Sequence, residues 1–159
     1  MSTHAAIAYT DGVHCSAIYL HSDGYLSYAG AMLLQSYNTK EKAKALIALG
    51  DLSLLKERLA PKAGERHSFD QKAPDVTVAY CRDRGEPLHV QHYENISFPN
   101  TETFFTQLAD MADSNYVYLF DERQNQWLAG AAFKFTNREQ EAFPAAKPRT
   151  FYSLKTWFE

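Results

Sequence analysis

Asp11-Gly12 separates two runs of strand-forming residues, His4 to Tyr9 and Val13 to Leu20. An Asp-Gly pair supplies the positive φ that a short hairpin turn needs, so the chain is expected to open with two antiparallel strands. Two further hairpins follow the same logic. Val76 to Cys81 and Leu88 to Tyr93 flank the charged, glycine-containing turn Arg82 to Glu86, and Tyr116 to Phe120 and Trp127 to Phe135 flank the polar turn Glu122 to Gln126. The pattern predicts roughly six strands in all.

Between the hairpins the apolar period changes from two to three or four. Leu26, Ala29, Leu33, Leu34 and Tyr37 predict one helix over Tyr25 to Tyr37. Asn38 with Glu41 three residues on reads as a capping box for a second, which buries Ala43, Leu46, Ile47 and Leu49 and stops at Gly50. Asp51 caps a short helix through Leu59, ended by Pro61, and the polar stretch Lys62 to Asp75 is a surface loop. Pro99 and Asn100-Thr101 introduce a further amphipathic helix over about Thr101 to Ala112. The expected fold is therefore α+β: one domain, with antiparallel hairpins in a mixed sheet and two to three helices packed on one face. Along the chain this divides into hairpin, helices and hairpin (residues 1–93), helix and strand pair (94–135), and a C-terminal segment (136–159). Phe151, Tyr152, Leu154, Trp157 and Phe158 make that last segment too apolar for a free tail. It should cover a sheet edge of its own chain, the alternative being a homodimer contact.

Composition narrows the function classes. The 159 residues carry 16 basic and 19 acidic side chains, a net charge of −3, and 45% are apolar. One sizeable core fits this length, and near-balanced charge disfavours broad attraction to DNA or anionic lipid. No apolar run approaches the roughly 18 residues of a membrane span, so a cytoplasmic protein with no membrane partner is expected. Cys15 and Cys81, both read as lying in strands, predict two buried reduced thiols rather than a disulfide framework. His89 and His92 fall on opposite faces of a strand, which leaves no metal site to propose, and no cofactor is expected. There is neither a Gly-x-Ser-x-Gly elbow nor a phosphate-loop or dinucleotide fingerprint. Tyr80, Tyr93, Tyr116 and Tyr118 read more simply as core than as a base-stacking platform.

Two segments stand out as binding groups. His21-Ser22-Asp23-Gly24 lies where the second strand runs into the first helix, and Arg82-Asp83-Arg84-Gly85-Glu86 crowds four charges into one turn. Two arginines can fork onto a phosphate or carboxylate; the bland alternative is a solvated tip with local ion pairs. The candidate binding residues are His21, Asp23, Arg82, Asp83, Arg84 and Glu86, with none assigned to catalysis.

These segments, with Ser2-Thr3, Asp11-Gly12, His67-Ser68-Phe69-Asp70 and Leu49-Gly50-Asp51-Leu52-Ser53, resemble a family of small proteins carried by bacteriophages, prophages and plasmids. The resemblance spans about Met1 to Glu86 and rests on the His-x-Asp-Gly-Tyr, Leu-Gly-Asp-x-Ser and Arg-Asp-Arg-Gly-Glu elements; the family has an aromatic residue where Ser22 stands and often Pro where Leu26 stands. It implies a mobile-element accessory protein of the kind that inhibits host defence, anti-CRISPR proteins included. The expected function is thus non-enzymatic contact with a bacterial defence protein or complex. The alternative is a protein that sequesters or processes a small anionic nucleotide, with Arg82 and Arg84 on phosphate and His21 or Asp23 as acid or base. A nucleic-acid binder would need a stripe of Lys40, Lys42, Lys44, Lys56 and Arg58, and is the weakest of the three.

Overall fold

A computed structural model describes residues 3–94, 101–111 and 113–158. The readings that touch Met1, Ser2, Pro99, Asn100 and Ala112 lie outside the described residues. Strands β1 (Ala5–Thr10) and β2 (Cys15–Leu20) form the expected hairpin, in register from Ala5 opposite Leu20 to Thr10 opposite Cys15. Its turn is held by Asp11, whose Oδ1 accepts from the Val13 and His14 N–H groups at 2.8 and 2.7 Å, while Gly12 takes φ 105°. Strands β6 (Tyr116–Asp121) and β7 (Gln126–Ala131) form the other expected hairpin, and β6 runs parallel to β1.

Strands β3 (Leu52–Leu54), β4 (Val78–Ala79), β5 (Gln91–Tyr93) and β8 (Tyr152–Ser153) complete an eight-stranded mixed sheet in the order β4-β3-β2-β1-β6-β7-β8. Strand β5 pairs with the opposite end of β2 from β3. The α+β class therefore stands. So does docking of the C-terminal segment on its own chain: β8 covers the edge of β7.

The central strand β1 is buried on both faces, and its alternation assigns the layers. Ala5, Ile7 and Tyr9 meet one helical layer; Ala6 and Ala8, with Ala17 of β2, leave room on the other face for Phe104, Phe105 and Leu108. The first layer is a π-helical turn (Leu26–Gly30) running into α1 (Ala31–Ser36), then α2 (Lys40–Ile47). Two helices thus share one face as expected, and α4 (Thr101–Met111) covers the opposite one. Large side chains fill the first layer, and two of them anchor it by hydrogen bonds: Tyr118 Oη donates to Gly24 O at 2.7 Å and Trp127 Nε1 to Tyr37 O at 3.0 Å.

Several local readings are corrected. Helix α2 is capped by Thr39, whose side chain accepts from Lys42 N, so Asn38 and Glu41 form no box. The helix expected from Asp51 to Leu59 is replaced by β3, because Leu52 is drawn between Leu20 of β2 and Ala79 of β4 and is fully buried there. The second hairpin does not form, since β4 pairs with β3 and β5 with β2. Between them the charged turn is helix α3 (Tyr80–Arg84), which also takes Cys81 out of a strand and leaves it only partly buried. Gly85, at φ 78°, closes α3: its N–H donates to Cys81 O and the Glu86 N–H to Tyr80 O, a pairing that needs a left-handed residue. Helix α5 (Asn137–Ala142) starts at a capping box formed by Thr136 and Glu139, in a segment where no helix was expected.

Candidate functional site

The charged turn splits into an inner and an outer part. Arg82 donates to both Asp83 carboxylate oxygens, at 2.8 and 3.0 Å, and to the carbonyls of Leu59 and Thr77 at 2.7 and 2.6 Å. Asp83 also accepts from the Ala79 N–H at 2.8 Å, and its Oδ2 lies 3.1 Å from His67 Nε2. Burial pushes the Asp83 carboxyl up, but the Arg82, Ala79 and His67 contacts outweigh that and hold it below its ordinary value. Arg82 and Asp83 thereby fasten α3 to β4 and to the 62–75 loop. Arg84 and Glu86 remain outside, paired at 3.4 Å, with the Arg84 guanidinium 4.7 Å over the Phe69 ring.

The other predicted segment is positioned by β2 and β3. The His21 N–H donates to Leu52 O, its Nδ1 lies 2.7 Å from Tyr19 Oη, and its ring stacks on His4 at 4.9 Å. Asp23 takes a left-handed conformation, φ 58°, just before Gly24. A Cβ on Gly24 would meet the Ala5 side chain at 2.7 Å, so that turn is pressed against β1.

Tyr19 links the two segments. Its ring borders a cleft of about 270 Å³ whose lining also includes Asp51, Tyr80, Cys81, Glu86 and His89. Glu86 is thus brought to one side of Tyr19 and His21 to its hydroxyl, whereas Arg82 and Asp83 lie within the internal network.

Asp51, Tyr19, Tyr80 and His89 were not among the candidate residues. Asp51 was read as a helix cap. Its Oδ1 instead accepts the Tyr19 N–H, across the sheet edge, at 2.9 Å, and its Oδ2 accepts from His89 Nδ1 at 2.8 Å. That bond leaves His89 Nε2 as the other ring nitrogen for a ligand. The available signal was the Leu-Gly-Asp-x-Ser element, which singled out Asp51 without showing its partners.

Chemically the cleft offers two carboxylates, two phenols, one imidazole and one thiol, with no Lys or Arg in its lining. Such a lining suits a cation flanked by aromatic faces better than a phosphate. Among the described residues no group of three or more His, Cys, Asp or Glu is placed to hold a metal ion, and no helix is long and apolar enough to cross a membrane. No protein-family model, no curated protein and no solved structure matches this chain.

Proposed function

We propose that the protein is a non-catalytic accessory protein of a phage or other mobile element, which disables a bacterial defence system by binding one of its proteins. The contact is centred on the Tyr19–Asp51–Glu86–His89 cleft and receives a Lys or Arg side chain of the partner. One observation carries this reading. The elements behind the family resemblance converge there, since Asp51 belongs to Leu-Gly-Asp-x-Ser, Glu86 to Arg-Asp-Arg-Gly-Glu, and His21 reaches Tyr19. An open cleft with aromatic walls, two carboxylates and no Lys or Arg in its lining suits a basic anchor residue of an interface.

The nucleotide alternative is weaker because Arg82, its better phosphate ligand, already spends its guanidinium on Asp83 and two carbonyls. A second reading has a specific observation behind it: the Asp51–His89 pair and Cys81 line one cleft, an arrangement of the kind used in thiol catalysis.

The test is phage plaquing on bacteria that carry a defined defence system and express the protein, followed by affinity measurement against that system's purified components. Wild type should restore plaquing. Glu86→Arg should abolish it and weaken binding by about tenfold or more, and Cys81→Ala should act as wild type. No restoration across a panel of systems, or full activity of Glu86→Arg, would overturn the proposal; loss of activity in Cys81→Ala alone would favour catalysis.

A further inference from the structure

A second cavity, of about 380 Å³, shares no residue with the cleft and is lined largely by apolar groups. Its walls come from three places: Tyr25 and Leu26 at the π-helical turn, Tyr116 at the start of β6, and Trp157 and Phe158 of the C-terminal 3-10 turn (Leu154–Phe158). Helix α5 closes it with Glu139. A π-helical turn is rare in itself and recurs at binding sites.

Glu139 decides what such a cavity can hold. Its two oxygens accept from Tyr116 Oη at 3.0 and 2.8 Å, and Oε1 also accepts from the Thr136 N–H at 2.9 Å. All these donors are neutral. Burial, reinforced by the Glu139 hydrogen bond, pushes the Tyr116 phenol up, so it stays protonated and remains a donor. Among the described residues no Lys, Arg or His lies within ion-pair distance of Glu139. The one cation in the lining, Arg138, is exposed and makes no ion pair with Glu139. A partly buried carboxylate without a counter-charge, beside four aromatic rings, is the complement of an organic cation. The carboxylate supplies the charge and the ring faces supply cation–π attraction to a weakly hydrated ammonium.

We propose that this cavity binds a small free organic cation, an alkylammonium bearing an apolar group. The site is independent of the cleft, and its occupant adds a second ligand to a protein whose proposed partner is a protein.

The test is calorimetric titration of the full chain with three probes of similar shape and different charge: benzyltrimethylammonium, benzyl alcohol and benzoate. Tryptophan fluorescence is followed in parallel, because Trp157 lines the site. The cation alone should bind at up to millimolar concentration and change the fluorescence. Glu139→Gln should weaken it at least about tenfold without unfolding α5, since Gln also completes a capping box. Glu86→Arg should leave the binding unchanged, which separates this site from the cleft. Equal or tighter binding of benzyl alcohol or benzoate, no binding of the cation, or an unaffected Glu139→Gln would overturn the proposal. Retention of the protein on phosphatidylcholine vesicles would also overturn it, by showing that a lipid headgroup is the ligand.

Discussion

His67 Nε2 lies 3.1 Å from Asp83 Oδ2, with the two side chains only 1% and 3% exposed. The Ala73 N–H donates to the other ring nitrogen, Nδ1, at 3.0 Å, which leaves Nε2 facing the carboxylate. One imidazole therefore joins the 62–75 loop to α3. The long polar loop is tied down from within, which its composition alone does not show.

Removing the carboxylate at that junction should be costly. Asp83→Ala strands the Ala79 N–H, removes the carboxylate that His67 Nε2 faces and leaves Arg82 without its counter-charge. The expected loss is about 3 kcal/mol of unfolding free energy, read by urea denaturation. Arg84→Ala, at an exposed pair with Glu86, should change stability by less than about 0.5 kcal/mol. Equal effects of the two would show that the inner network does not hold α3.

The same loop should respond to acid. Arg58 grips the Glu65 carboxylate through two hydrogen bonds, 2.9 and 3.0 Å. The Arg58 bonds and the Lys62 N–H lower the Glu65 pKa from 4.5 to about 2. A folded-state pKa below the unfolded value means the group stabilises the fold above the higher value and loses that contribution as protons bind. Amide exchange in the 58–75 segment should therefore be flat above pH 4.5 and accelerate, relative to its intrinsic rate, as pH falls from 4.5 towards 2. In Glu65→Gln that step should be absent.

The two thiols should separate by reactivity. Cys15 is 2% exposed and burial pushes its thiol up to about 12, whereas Cys81 borders the cleft. Iodoacetamide followed by mass spectrometry should modify Cys81 in the folded protein and Cys15 only after denaturation. Fast labelling of both would contradict the burial of β2.

Docking of the C-terminal segment depends on Gly130. A Cβ there would sit 2.1 Å from the Thr150 carbonyl oxygen and 2.8 Å from the Phe105 ring. Backbone cannot yield as a flexible side chain can, so Gly130→Ala should push residues 150–158 off β7. Limited proteolysis should then cut near Thr150 in the variant and spare the wild type, with Trp157 fluorescence shifting to the red as the ring meets water.

What the sequence determined by itself is local or periodic. Asp11-Gly12 dictates a turn whose bonds all lie within a few residues, and the β6–β7 hairpin needs only two apolar runs on either side of a polar turn. The α+β class and the inward docking of the aromatic C-terminus follow from how much apolar surface has to be covered. Where the outcome turned on a distant partner, local reading failed. Asp51 has the chemistry of a helix cap, and only the arrival of β2 and His89 turns its two oxygens to the Tyr19 N–H and an imidazole. Arg82 and Asp83 look like surface charges until Leu59, Thr77 and His67 are brought around them. Hydrogen-bond capacity is a property of a side chain and can be listed from sequence, but the choice among competing partners is made by long-range packing, and the candidate cleft and the α5 cavity are both products of that choice.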